Sequence, residues 1–152
     1  MNILFVCTGN TCRSPMAEGL MKKLIEKHNL NINIYSAGIF TMDGLSPSEN
    51  SILAMEEIGI NIRDYKSNTI TKELINKSHI ILTMTKNHKE KILQIIPEIS
   101  NKLYTLKEYT KIKAYSDISD PYGQNLNVYK ACRDEINRAL EMIISELKKE
   151  MD

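Results

Sequence analysis

Ten residues near the amino end, VCTGNTCRSP at positions 6 to 15, put two of the chain's three cysteines, a glycine and an arginine into one short turn. A helix N-terminus presents N–H groups without helical partners and a partial positive charge, and a loop whose successive amides point inward makes an anion nest of the same kind. Thr8, Gly9, Asn10, Thr11, Cys12, Arg13 and Ser14 are the residues expected to form that nest, and Arg13 adds a planar fork that meets a phosphate through paired hydrogen bonds. The same field would hold Cys7, at the end of the preceding apolar run, as a thiolate. A thiolate beneath a bound phosphoryl group is a nucleophile. Its attack gives a cysteinyl-phosphate while the amides and Arg13 stabilise the equatorial oxygens, and water then releases phosphate.

Two nucleotide-binding readings fail on the residues themselves. The stretch Gly9-Asn10-Thr11-Cys12-Arg13-Ser14 lacks the second glycine and the lysine of a nucleoside-triphosphate loop, and it lacks the glycine spacing of a dinucleotide fingerprint. Cys7 and Cys12 have a spacing compatible with half a zinc site, yet no second Cys or His pair matches it, so neither a metal nor another cofactor is expected. The plainer alternatives are a buried cysteine at a strand end, a surface arginine and a turn-forming Asp120. His28, His79 and His88 are read as structural or exposed, and Cys132 as core packing on the last helix.

The elements that must position this turn are legible around it. NILFV reads as a strand, and MAEGLMKKLIEK as an amphipathic helix running from about 15 to 28, with Ser14 as N-cap and Pro15 at its first position. INIYSAG reads as a second strand, followed by a helix that begins at a Ser46/Glu49 capping box with Pro47 at N1 and stops at Gly59. HIILTMT (79 to 85), a helix ended by Pro97, the strand KLYTL and a long helix from Leu126 complete the alternation; Tyr129, Cys132, Ile136, Leu140, Ile143, Leu147 and Met151 form that last helix's apolar stripe. Strands alternating with helices imply an α/β fold with a parallel sheet covered on both faces, its ligand sites beyond the carboxyl ends of the strands.

The 152 residues suit one domain, 1–152, and neither a repeat nor a Pro/Gly/Ser-rich linker interrupts them. Lys plus Arg (20) nearly balances Asp plus Glu (19), so nothing electrostatic demands nucleic acid or a membrane surface as a partner. No stretch approaches the roughly 20 apolar residues of a membrane span, and three cysteines are too few for a secreted disulfide framework. A cytoplasmic protein is expected, and a monomer.

C-x5-R-S-P-M-A-E after an amino-terminal strand, with Ser36-Ala37-Gly38 and a late Asp120-Pro121, resembles the low-molecular-weight protein-tyrosine phosphatase family over essentially the whole chain. The resemblance implies a single-domain three-layer α/β sandwich, a four-stranded parallel sheet of flavodoxin-like order 2-1-3-4, with the phosphate-binding loop between strand 1 and helix 1. It further implies Cys7 as nucleophile, Arg13 as phosphate clamp, Asp120 as general acid and then base, Asn10 and Ser14 as loop supports, and Ser36 as a brace from strand 2. Phosphorylated proteins are the implied substrates, and Cys12 the implied redox partner of Cys7; packing beneath the loop is the competing role for Cys12. Asp120 precedes a proline, which pushes it out of helical conformation onto a loop, where a carboxylic acid can protonate a departing atom. Asp117, three residues earlier, is its rival.

Tyrosine-directed members carry a bulky aliphatic at the position of Thr11, a Trp or Tyr wall after S-A-G, and two aromatics after D-P. This chain has Thr11, Ile39-Phe40-Thr41-Met42, no tryptophan, and Asp120-Pro121-Tyr122-Gly123. That set is similar to the bacterial protein-arginine phosphatase branch, which implies phosphoarginine on proteins as substrate. Phosphotyrosine with the same chemistry is the alternative. More distant are arsenate reduction, for which the 66–131 segment lacks the cysteines, and a phospho-residue binding module without turnover.

Overall fold

The run Asn2–Cys7 forms strand β1, and its side chains are buried on both faces, as an uninterrupted apolar run requires of a central parallel strand. The computed structural model describes residues 1–110 and 117–151. β1 lies between β2 (Asn33–Gly38) and β3 (Ile80–Thr83), and β4 (Leu103–Thr105) completes an all-parallel sheet of order β2-β1-β3-β4. The expected topology is therefore present. Pairing runs Ile3 to Ile34 on one side and Ile3 to Ile80 on the other.

Alternation along β1 splits the core into two layers. Ile3, Phe5 and Cys7 face helices α1 (Arg13–His28), α2 (Glu49–Glu57) and α6 (Leu126–Met151), while Leu4 and Val6 face α3 (Lys72–Lys77) and α4 (Lys86–Ile95). Each wholly buried Ile, Leu or Phe of these layers contributes about 1.5–3 kcal/mol. The short 3₁₀ turn Pro97–Lys102 and helix α5 (Leu106–Tyr109) flank β4. No described helix is long and apolar enough to cross a membrane.

Several expectations change in detail. Helix α1 starts at Arg13, with Cys12 in the capping position and no side-chain cap, so Ser14 is not its N-cap and Pro15 stands at the third helical position. Proline is tolerated there because first-turn N–H groups lack a helical carbonyl in any case. The Ser46/Glu49 capping box does not form; Ser48 caps α2, accepting from the Ser51 amide at 3.3 Å. Leu106 begins α5 instead of extending β4, because the Thr105 side chain caps a helix there. Helix α3, capped by Thr71, lies in a stretch to which the sequence assigned no element, and its six residues are too few to display a helical period. The stripe of α6 is buried as read from Tyr129 to Leu147, whereas Met151 is exposed.

Candidate active site

β1 ends at Cys7 because its six residues, five of them buried, carry it to the sheet's carboxyl edge, and β3 turns away there into α4. The loop from Thr8 to Cys12 must then reverse into α1, and it does so with Asn10 in the left-handed region at φ 56°. Asparagine is among the few residues other than glycine that adopt this conformation readily. The close approach falls to Gly38 of β2, where an added Cβ would lie 2.7 Å from the Thr8 carbonyl oxygen. Any larger residue would push β2 and the loop apart.

The buried Asn10 side chain sets the direction of the hydrogen bonds beneath the loop. Its Oδ1 accepts from the Asn68 amide at 2.8 Å, so its Nδ2 group must donate, and it does so to Ser14 Oγ (2.7 Å) and Ser36 Oγ (3.0 Å). Each serine oxygen is thereby an acceptor with its proton left for another partner. Ser36 gives its proton to Glu18 Oε1 at 2.6 Å, and Glu18 is held in turn by Lys22. Ser14 lies 2.9 Å from Cys7 Sγ and donates to it, and the Asn10 amide donates to the same sulfur at 3.2 Å. Both donors converge on the one sulfur at the end of β1.

Arg13, buried at the start of α1, donates from Nη1 to the Ile118 carbonyl at 2.9 Å, and its Nη2 lies 3.6 Å from Asp120 Oδ2. This one side chain ties the 117–120 segment to the phosphate loop. Asp120 also accepts from the Tyr122 amide at 3.1 Å, fixing the turn that carries both residues. Asp117 Oδ1 accepts from the first amide of α4, that of Lys86, at 2.8 Å.

Cys7, Thr8, Gly9, Thr11, Cys12, Arg13, Phe40, Asp120 and Tyr122 surround one cavity of about 360 Å³. The structure thus brings Cys7, Arg13 and Asp120 together, with Thr11 on the wall. Asn10 and Ser14, expected among the residues around the ligand, have side chains wholly behind the loop, where they bond to each other; Ser14 also meets Cys7, and the Asn10 side chain also bonds to Ser36. Cys12 is a free thiol 3.5 Å from both the Tyr129 and Ser48 hydroxyls. Burial pushes the Cys132 thiol up to about 12, which keeps it protonated within the α6 core.

The sequence reading passed over three supporting residues. Glu18 stood inside the quoted S-P-M-A-E stretch without a role, and Asn68 lay in an unremarkable loop. His88 of α4 is buried with Nε2 2.8 Å from Thr8 Oγ1, and its Nδ1 has no partner among the described residues. Nothing in the spacing of His88 signals that contact, because 80 residues separate it from Thr8.

Burial, then the positive charges of Arg13 and Lys91, push the His88 imidazolium down to about 4. The ring is therefore neutral at pH 7. A folded value below the ordinary 6.5 means that the unfolded chain binds the proton more readily, so stability is full above pH 6.5 and falls as pH drops toward 4. Acidification across that window is expected to cost about 3 kcal/mol through this residue. Urea unfolding of the native protein and of His88→Gln at pH 7 and pH 4 measures it: the variant should lose that much less, and equal losses would refute the assignment.

Known proteins match this arrangement from end to end. The family model described as low molecular weight phosphotyrosine protein phosphatase matches residues 2–152. The protein-arginine-phosphatase of Bacillus subtilis (strain 168) is 39% identical over 150 residues, covering 99% of this chain and 99% of that protein. The low molecular weight protein-tyrosine-phosphatase PtpB of Staphylococcus haemolyticus (strain JCSC1435) is 34% identical over 139 residues, covering 90% of this chain and 92% of that protein. Among solved structures, the YwlE arginine phosphatase C7S mutant with a phosphorylated active site serine superposes with a TM-score of 0.94 at 38% identity, covering 98% of this chain and 97% of that one. With a loop, sheet order and length shared throughout, the chain belongs to the low molecular weight phosphotyrosine protein phosphatase family.

Proposed function

We propose that this chain is a metal-independent cysteine phosphatase that removes phosphate from phosphoarginine residues of cytoplasmic proteins. The observation that carries the reading is the convergence of Cys7, Arg13, Thr11 and Asp120 on one cavity, with two hydrogen-bond donors aimed at the Cys7 sulfur.

In the first step the Cys7 thiolate attacks phosphorus in line with the departing group. The S–P bond forms as the P–N bond breaks, and the leaving guanidine nitrogen takes a proton from Asp120. Loop amides and the Arg13 fork bear the charge on the three equatorial oxygens. In the second step Asp120, now a carboxylate, accepts a proton from water as that water attacks phosphorus. The S–P bond breaks, the thiolate returns and inorganic phosphate leaves.

Arginine as the phosphorylated residue rests on the cavity wall. Thr11 offers a hydroxyl and little bulk where a phenyl ring would want an aliphatic surface, and Phe40 and Tyr122 supply aromatic faces on which a guanidinium can stack. The 39% identical relative named protein-arginine-phosphatase supports the same reading. Peptides carrying phosphoarginine or phosphotyrosine, assayed with and without a chelator, test it. Faster hydrolysis of the phosphoarginine peptide, unaffected by chelator, is expected, and a preference for phosphotyrosine would transfer the chemistry to the other substrate. Replacing Thr11 by Ile is expected to move the kcat/KM ratio of the two peptides toward phosphotyrosine by about 10-fold or more, the size of effect that a polar group left unpaired against an apolar wall produces. An unchanged ratio counts against Thr11.

A further inference from the structure

Beyond the catalytic cavity the loop 39–48 carries three apolar side chains that remain in solvent: Phe40 is 84% exposed, Met42 68% and Leu45 40%. They border a second concavity of about 420 Å³ together with Gly9, Thr11 and Thr41. Gly9, Thr11 and Phe40 belong to both hollows, so the second opens directly beside the first.

This exposure is a fixed conformation. The Phe40 amide donates to the Thr8 carbonyl at 2.9 Å, anchoring the loop to the phosphate nest. Buried Ser67 accepts from the Leu45 amide through Oγ at 2.8 Å and donates through the same oxygen to the Met42 carbonyl at 2.6 Å; its backbone amide donates to the Leu45 carbonyl at 2.8 Å. Asp43 Oδ1 accepts from the Thr69 amide at 2.7 Å. A loop pinned this firmly that still holds Phe, Met and Leu out in water presents a preformed apolar shelf, and preformed apolar surface next to a site is characteristic of recognition.

The reading above puts a phosphorylated side chain into the catalytic cavity past Thr11, which leaves the substrate's own backbone at the mouth. Adjacent residues of a chain are 3.8 Å apart from Cα to Cα. A residue beside the phosphorylated one therefore comes within reach of the adjoining hollow bordered by Phe40, Met42 and Leu45. We infer that this shelf binds an apolar side chain flanking the phosphorylated residue, so that the enzyme selects phosphorylated sites within polypeptides that carry such a neighbour. The inference rests on the proposed substrate reading for its orientation, and it concerns a different part of the surface.

The test compares phosphoarginine peptides flanked by leucine with the same peptides flanked by serine, alongside a phosphotyrosine pair with identical flanks. The native enzyme is expected to favour the leucine peptides by about 10-fold in kcat/KM, mainly through KM, as an apolar contact of this size gives. The double variant Met42→Ser with Leu45→Ser is expected to hydrolyse a small aryl phosphate at the native rate and to lose the preference. Equal rates on leucine and serine peptides with native enzyme overturn the inference without recourse to any variant, and so does a preference that survives in the double variant. A native species of twice the monomer mass that the double variant abolishes, with no flank preference, assigns the shelf to a second copy of the chain and also overturns it. If only the phosphotyrosine peptides are hydrolysed, the substrate reading fails while the flank comparison is still read from that pair.

Discussion

Replacing Cys7 by serine is expected to lower turnover of any phosphorylated substrate by a factor of about 10⁴ or more, the loss typical when a covalent nucleophile is removed. The site gives the reason in two parts. The donors from Ser14 and Asn10 converge on the Cys7 sulfur at 2.9 and 3.2 Å, and the proposed mechanism needs a thiolate there, whereas a serine hydroxyl at neutral pH remains protonated. Among the described residues no histidine hydrogen-bonds the position-7 side chain; the buried His88 bonds to Thr8 instead. Should the serine oxygen nevertheless be phosphorylated slowly, its ester is a poorer substrate for the second step than the thioester-like S–P bond. The expected result of incubating the variant with substrate is thus a protein carrying one phosphate at position 7 and no sustained release. Intact-protein mass spectrometry reads the first and a phosphate assay the second. Full activity in Cys7→Ser would eliminate the mechanism.

A second large loss, about 10² to 10⁴ in kcat, is expected for Asp120→Asn, while Asp117→Asn should remain close to native. Asp120 lines the cavity and stands 3.6 Å from the Arg13 fork, within reach of a group departing from a phosphate held by that fork. Asp117 uses Oδ1 to accept from the Lys86 amide, a bond that the asparagine oxygen can retain. The loss at Asp120 should depend on the leaving group. A nitrophenolate departs without needing a proton, so a nitrophenyl phosphate should suffer much less in its first step than a phosphoarginine peptide, whose nitrogen must be protonated to leave. Equal losses on both substrates would make Asp120 a structural tether of the 117–120 segment. A larger loss at Asp117 would reverse the assignment.

Much of this fold was legible because its signals are local. An apolar run bounded by a polar turn reads as a buried strand, and the long stripe of α6 repeats often enough for its period to be unmistakable. The boundaries that moved were decided by competition for one side chain. Ser14 has the right chemistry to cap α1, yet its oxygen is engaged with Asn10 and Cys7, and the helix starts two residues earlier, at Arg13, without a side-chain cap. Ser46 was read as the cap of α2, yet Ser48, whose amide donates to the Thr11 carbonyl at 2.8 Å, takes that position.

The amino-acid sequence by itself determined the chemistry: a cysteine, five intervening residues and an arginine between an apolar strand and an amphipathic helix define an anion nest, since backbone amides and one guanidinium are all that such a site requires. Only the tertiary structure decided which remote residues serve it. Ile118 accepts from Arg13 across 105 residues of chain, Asn68 orients Asn10 from 58 residues away, and His88 meets Thr8 from 80. Those partners converge because a parallel sheet delivers the carboxyl end of every strand to one edge, so residues distant in the chain become neighbours there. Their hydrogen bonds are set by three-dimensional packing, and no sequence spacing encodes them.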